Sequence, residues 1–240
     1  MIRTGTQPVE GGATIRTVTF DRPKRRNALT PAGLDQLEAA VTSATEPVVL
    51  LRGAGDAFCA GADLDVVDDL DDRAAAQAFA ETGQRVANAI ADADPVVVAG
   101  IDGAARGGGL ELALACDLRI ATRAATLGEP GVELGLFGAW GGTIRLREVC
   151  GLGDAMDLAC SGRVLDAEEA QRIGLVSRIV DGADGIAGVA AELASVDTAA
   201  LQTVKRRLRD DADRETQEER EAAAFADLHL IRRETTGDGA

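Results

Sequence analysis

Ile101-Asp102-Gly103-Ala104-Ala105-Arg106-Gly107-Gly108-Gly109-Leu110-Glu111 is the stretch that decides how this sequence is read. The apolar run Val96-Val97-Val98-Ala99 leads into it and reads as a buried strand, and residues 110–116, rich in Ala and Leu, read as a helix. Three consecutive glycines therefore stand where a strand turns into a helix. Glycine permits positive φ and lets another group approach the backbone closely. The first turn of a helix carries unpaired N–H groups and the positive end of the dipole. Together these make a site that donates hydrogen bonds to an oxygen carrying negative charge. Glu111 adds a carboxylate about one helical turn away. For the glycines alone, tight helix–strand packing is the simpler explanation; their neighbours along the chain reverse it.

Outward from this stretch, the 240 residues suit one domain, and 46% hydrophobic composition supplies a sizeable core. No apolar run reaches membrane-spanning length. The opening MIRTGTQPVEGG has no apolar signal-peptide region, which leaves the cytoplasm as the expected compartment. Cys59, Cys116, Cys150 and Cys160 show no CxxC spacing, and His229 is the single histidine. Reduced structural cysteines are expected, with neither a zinc site nor a disulfide framework. The net charge of −15, from 40 acidic and 25 basic residues, opposes nucleic-acid binding. Only Lys24 and Lys205 are lysines and tyrosine is absent. That composition suggests adaptation to high salt, where screening removes self-repulsion; a merely acidic protein carries the same signature.

Taken in order, residues 14–20 and 47–52 read as strands, joined by a helix that starts at Pro31 with Thr30 as N-cap and turns Leu34, Leu37 and Val41 inward. Between strand and helix, Arg22-Pro23-Lys24-Arg25-Arg26-Asn27 is a basic turn in an acidic chain: a solvated turn, or a seat for a polyanionic ligand such as a nucleotide phosphate. Residues 65–72 form an acidic segment expected to be exposed and mobile. Residues 73–93 read as a long helix, with Phe79, Val86 and Ile90 inward, ended by Pro95. After the triglycine come a strand at 117–122, an irregular glycine-rich stretch at 126–142 holding the only tryptophan, Trp140, and short helices at 142–149, 154–161 and 166–173. A short strand at 175–180 precedes helices at 188–194, 198–210 and 215–233. Strands alternate with helices through the first three-quarters, which predicts an α/β fold.

Four motifs, in order, resemble those of the crotonase, or enoyl-CoA hydratase/isomerase, family. Residues 22–29, RPKRRNAL, resemble its "RPEKRNAL", and residues 57–64, AFCAGADL, its "AFxAGADL". Gly107-Gly108-Gly109-Leu110-Glu111 with Cys116-Asp117 resembles its "GGGxELxxxCD", and Gly141-Gly142-Thr143 with Arg145-Leu146 its "GGTxRL". The resemblance covers nearly the whole chain. It implies a spiral of ββα units with a helical C-terminal region, residues 1–180 forming the acyl-CoA-binding core and 181–240 the helices used in trimerisation. It implies an acyl-CoA substrate, no cofactor beyond the coenzyme A that the substrate carries, and a homotrimer or dimer of trimers, while the net charge argues against a nucleic-acid partner and the lack of a long apolar run against a membrane one. The oxyanion hole would use the backbone N–H groups of Ala62 and Gly108. Arg25, Arg26, Ala60, Asp63 and Leu64 would hold the CoA moiety, and Glu111 would handle the proton of water.

Two departures stand out. Family hydratases place a second glutamate after the proline of "FGxPE", where this chain reads Leu127-Gly128-Glu129-Pro130-Gly131-Val132-Glu133, with Gly131 at the matching position. Glu129 and Glu133 flank it; either is a displaced second carboxylate or a surface charge. The family's alternative aspartate would fall near Ala139. Past Phe225 the family continues into a further helix with a basic tail, where this chain reads Glu234-Thr235-Thr236-Gly237-Asp238-Gly239-Ala240. The expected reaction is hydration of a 2-enoyl-CoA through an enolate held in the oxyanion hole. Its rivals are another single-carboxylate reaction of the family (isomerisation, decarboxylation or thioester hydrolysis) and a catalytically weak acyl-CoA-binding protein.

Overall fold

The strands of this protein come in pairs that part company. In the computed structural model, which describes residues 1–9 and 12–236, β3 (Val48–Gly53) enters a large sheet and β4 (Ala57–Cys59) a small one. Two helices follow, α2 (Leu64–Asp68) and α3 (Arg73–Ala91). The pattern repeats with β5 (Val96–Ile101), β6 (Ala104–Arg106) and α4 (Gly108–Ala115), and again with β7 (Leu118–Thr122), β8 (Thr126–Gly128), a 3₁₀ turn at Pro130–Leu134 and α5 (Gly142–Ser161). Three ββα turns thus wind into a spiral. Before them stand β1 (Ile2–Pro8), β2 (Thr14–Phe20) and α1 (Pro31–Thr42). After them come β9 (Val164–Asp166), α6 (Ala167–Arg172), β10 (Arg178–Val180), α7 (Gly182–Ala194), α8 (Thr198–Leu208) and α9 (Arg214–Thr236). The last four residues of the tail read above, 237–240, lie outside the described residues.

The large sheet has the order β1-β2-β3-β5-β7-β10, antiparallel only between β1 and β2. The small sheet runs β4-β6-β8-β9, parallel except at its last pair. Every residue of β5 is buried, the pattern of a parallel strand covered on both faces. Alternate residues serve two cores. Val49, Leu51, Val97 and Ala99 face the main core with α1, α3 and α4, while Val48, Leu50, Val96 and Val98 face a second core with Ile186, Val189 and Ala190 of α7. Part of the C-terminal helical region therefore belongs to the body of the domain. Lys205 anchors α8 in the same way: buried, it donates to the Pro95 carbonyl at 2.8 Å and pairs with Asp117 at 2.9 Å. Asp117 also accepts from Val97 N and pairs with Arg209.

Local chemistry explains most element boundaries. Thr30 accepts from Gly33 N at the start of α1, and Asp72 and Asp166 cap α3 and α6 in the same manner. The helices read at 142–149 and 154–161 abut in one span, kinked at Gly151 (φ 79°, ψ 166°). The acidic segment after Leu64 is not a plain loop, because Asp63 accepts from Asp65 N and starts the short α2. The sequence reading places no strand before Thr14. There β1 forms as an edge strand whose largely exposed residues alternate too little in polarity to announce it.

Candidate active site

The three parallel strands of the small sheet, β4, β6 and β8, end side by side, and the residues just after each of them make one site. After β4, the chain passes through Ala60 and Gly61 to Ala62, which forms a parallel bridge with Leu29. Leu29 N donates to Gly61 O at 2.8 Å, and Asp63 N donates to Leu29 O at 2.9 Å. A parallel bridge of this kind uses the groups on either side of Ala62 and turns its own N–H to the opposite edge. After β6, Gly107 adopts φ 48° and ψ −125°, so that Gly108 opens α4 with its N–H among the unpaired donors of the first turn. The two segments nearly touch: a Cβ on Gly61 would stand 2.7 Å from Gly108 N. Ala62, Gly107 and Gly108 all line a cavity of about 550 Å³.

Glu111 follows one turn into α4 and is only 2% exposed. Its Oε1 accepts from Trp140 N and from Gly142 N, each at 2.7 Å. Burial pushes its carboxyl up to about 7 against the lowering effect of those two bonds and of the Arg145 charge. Arg145 steadies the loop that supplies the donors, since its guanidinium donates to the Trp140 carbonyl at 3.2 Å and to Asn88 Oδ1 at 2.6 Å. The Trp140 indole lies in a slot that two glycines create. A Cβ on Gly83 of α3 or on Gly108 of α4 would stand 2.0 Å or 2.3 Å from the ring. Phe79 meets the indole edge-on at 5.8 Å.

After β8 comes Glu129, 5% exposed and lining the same cavity. Neither of its carboxyl oxygens has a hydrogen-bond partner among the described residues. Burial, and then the charge of Glu111, push its carboxyl up to about 8. A Cβ on Gly138 would stand 3.0 Å both from Glu111 Cδ and from Glu129 Oε2, so the two carboxyls converge on one point. Gly131 also lines the cavity, but a Cβ there would point into the backbone of Leu136 and Phe137, 3.1 Å from Phe137 Cα. Glu133 is exposed and absent from the cavity lining.

At the cavity mouth the basic turn is tied to the segment after β4. Asp63, 3% exposed, pairs with Arg22 and with Arg25, the latter at 2.9 Å, and Arg25 also pairs with Asp65. The Arg22 hydrogen bond is the main cause that holds the Asp63 carboxyl below its usual range. Ala60, Asp63, Leu64 and Arg25 line the cavity; the Arg26 side chain is exposed and does not. Arg26 contributes through its backbone, whose carbonyl accepts from Ala60 N at 2.9 Å in a left-handed turn (φ 50°). Buried Asn27 bonds the carbonyls of Ala54, Ala57 and Phe58 and so fixes the turn against β4. Apolar side chains (Val67, Leu70, Phe79, Leu136, Phe137 and Trp140) make up much of the remaining wall. The described residues hold no cluster of three or more potential metal ligands.

The arrangement can take a ligand with an apolar body, can offer two backbone donors to an oxygen that gains charge, and sets two buried carboxyls beside it. Sequence reasoning reaches Glu111, Ala62 and Gly108. It leaves Glu129 undecided and gives no role to Trp140 or Gly138. The signal for Glu129 was its place directly after β8, level with the strand ends that carry the two donors.

The family model for enoyl-CoA hydratase/isomerase matches residues 10–236. A Mycobacterium bovis protein assigned as an enoyl-CoA hydratase is 36% identical over 182 residues, 73% of this chain and 69% of that one. A crotonyl-CoA hydratase of Syntrophomonas wolfei is 38% identical over 171 residues, 69% of this chain and 65% of that one. The crystal structure of a Bacillus anthracis enoyl-CoA hydratase superposes with a TM-score of 0.85 at 28% identity, covering 98% of this chain and 96% of that one. A Thermobifida fusca protein assigned as an enoyl-CoA hydratase and solved in complex with CoA gives a TM-score of 0.84 at 29% identity, covering 97% and 94%.

Proposed function

The chain belongs to the enoyl-CoA hydratase/isomerase family, and from that premise we propose that it hydrates a 2-enoyl-CoA thioester. The observation that carries the reading is Glu111: a buried carboxylate, fixed by two backbone N–H groups, in the cavity that Ala62 and Gly108 also line. Glu111 takes a proton from water while the water oxygen bonds to C3. The C2=C3 electron pair moves onto the thioester oxygen, and the enolate so formed accepts from Ala62 N–H and Gly108 N–H. Arg25 at the mouth gives the CoA phosphates a cation. The acyl chain lies along the apolar wall between Phe79 and Phe137.

The test is the loss of enoyl absorbance with crotonyl-CoA. Turnover supports the reading. Tight thioester binding without turnover replaces it with an acyl-CoA-binding protein.

Two further properties belong to the same proposal. The molecule works as a homotrimer or dimer of trimers, a reading supported by α9, a helix with no buried residue among its described side chains that exposes Phe225 (71%) and Leu230 (58%). It is adapted to high salt, a reading supported by the −15 charge and the two lysines among 25 basic residues. The Debye length falls from about 10 Å at 0.1 M to about 3 Å at 1 M, so self-repulsion fades across that range. The thermal midpoint is expected to rise over the same interval. A flat or falling midpoint refutes the adaptation.

A further inference from the structure

We infer that Glu129 is the second catalytic carboxyl of this site, the acid that exchanges a proton with C2 of the acyl chain. The inference rests on the proposed reaction and adds a residue to it.

Three observations carry it. The first is geometric: Glu129 and Glu111 reach the same point at Gly138, and both line the cavity that holds the two backbone donors. The second is the state of its oxygens. They are buried, with no partner among the described residues. On the flank away from the main cavity lies a space of about 30 Å³, walled by Val132, Phe137, Leu146 and Ala159, with Thr143 its one hydroxyl. A carboxyl in such a place costs stability unless a ligand gives it a partner. The third is the fate of position 131. It carries no side chain, a Cβ there would stand tightly against the backbone of residues 136–137 at 3.1–3.3 Å, and the carboxyl of this segment that lines the site is the one two residues earlier.

The division of labour follows from the hydrogen bonds. Glu111 accepts two N–H donors, which favour its charged form, and it faces Arg145 from α5. Glu129 accepts none, and its charged neighbour is Glu111 of α4, which favours its neutral form. Glu111 is then the base and Glu129 the acid. When the enolate re-forms its carbonyl, C2 takes the proton of the Glu129 carboxyl. The proton that Glu111 took from water passes to Glu129 and restores the pair. No oxidant or further reactant is needed.

The experiment follows two reactions in the parent, Glu129→Gln, Glu111→Gln and Gly131→Glu: hydration of crotonyl-CoA, and exchange of the C2 hydrogens of butyryl-CoA with D₂O. Glu129→Gln is expected to lower both by about 10²–10⁴-fold, the usual worth of a positioned acid or base, while butyryl-CoA binding changes little. Glu111→Gln is expected to lose hydration and keep C2 exchange. Gly131→Glu is expected to gain nothing. C2 exchange by Glu129→Gln within about threefold of the parent overturns the assignment, as does a large gain in Gly131→Glu. Should Glu129→Gln fail to fold, the pH profile of the parent decides: kcat/KM must fall on the alkaline side as the Glu129 proton is lost, and a profile without that limb overturns the inference. The hydratase reading fails separately. A parent that exchanges C2 hydrogens without hydrating crotonyl-CoA rejects that reading and leaves Glu129 in place. A parent that does neither rejects both.

Discussion

Glu111→Gln is expected to lower kcat for hydration by about 10²–10⁴-fold, the range for removal of a positioned general base. The change keeps the side chain's size, and the amide oxygen still accepts from Trp140 N and Gly142 N, so the loop stays in place. Thioester binding is expected to stay close to that of the parent, because the cavity wall and mouth are untouched. The pH profile supplies a second readout. A base must be deprotonated to act, so activity of the parent rises with pH through the Glu111 value near 7, and the variant lacks that limb. Stability moves the other way. The folded value lies above the unfolded one near 4.5, so the folded protein binds this proton more tightly. Its contribution is fully present below pH 4.5 and is lost as the pH rises through about 7. Relative to the parent, the thermal stability of Glu111→Gln is therefore expected to gain progressively from about pH 4.5 to about 7 and to keep that gain above it. Near-normal turnover in the variant removes Glu111 from the mechanism.

Gly61→Ala is the second large effect. The glycine sits at φ 88°, where a side chain is strained, and its Cβ would stand 2.7 Å from Gly108 N and 2.8 Å from Arg106 O. Both neighbours are backbone, so the start of α4 must move. That start carries one of the two donors proposed to hold the enolate. Losing one such donor costs roughly 3 kcal/mol of transition-state stabilisation, so kcat is expected to fall about 10²–10³-fold. The strain itself costs about 1–3 kcal/mol of stability, read as a lower thermal midpoint. A variant that melts lower yet keeps its kcat shows that the Gly108 N–H is not part of the hole.

Much of this site is legible in the sequence because backbone chemistry demands particular residues. Gly107 takes a conformation that L-residues avoid, and a side chain on Gly109 would stand 2.1 Å from Cys59 O, so glycine is required at both; the glycines alone fit tight packing equally well, and the motifs around them point to a site. Thr30, Asp72 and Asp166 cap helices where short polar residues precede helical periodicity. Glu129 was harder. Residues 128–134 leave a strand and enter a 3₁₀ turn, where neither two-residue nor 3.6-residue periodicity says which side chain points inward. The 136–137 backbone crowds a side chain at position 131, at 3.1–3.3 Å from its Cβ, and no local pattern encodes that contact. Gly83 was silent for the same reason. It looks like a flaw in a helix until Trp140, more than fifty positions later, is seen against it.

The spiral has a consequence for how such a protein can change. Each turn supplies its share of the proposed chemistry from the one to three residues that follow a small-sheet strand: Ala62 from the first, Gly108 from the second, Glu129 from the third. The two anion-holding turns are locked together by backbone contact at Gly61 and tolerate little variation. The third turn is tied to the second at Gly128, whose carbonyl accepts from Gly107 N at 3.1 Å, just ahead of residues 129–138. Its proton donor can be moved, exchanged or deleted within residues 129–138 while the anion hole stays assembled. A library confined to those ten positions would therefore sample new reactions of one common enolate, and selection acting there can rewrite the chemistry at a single address without rebuilding the scaffold.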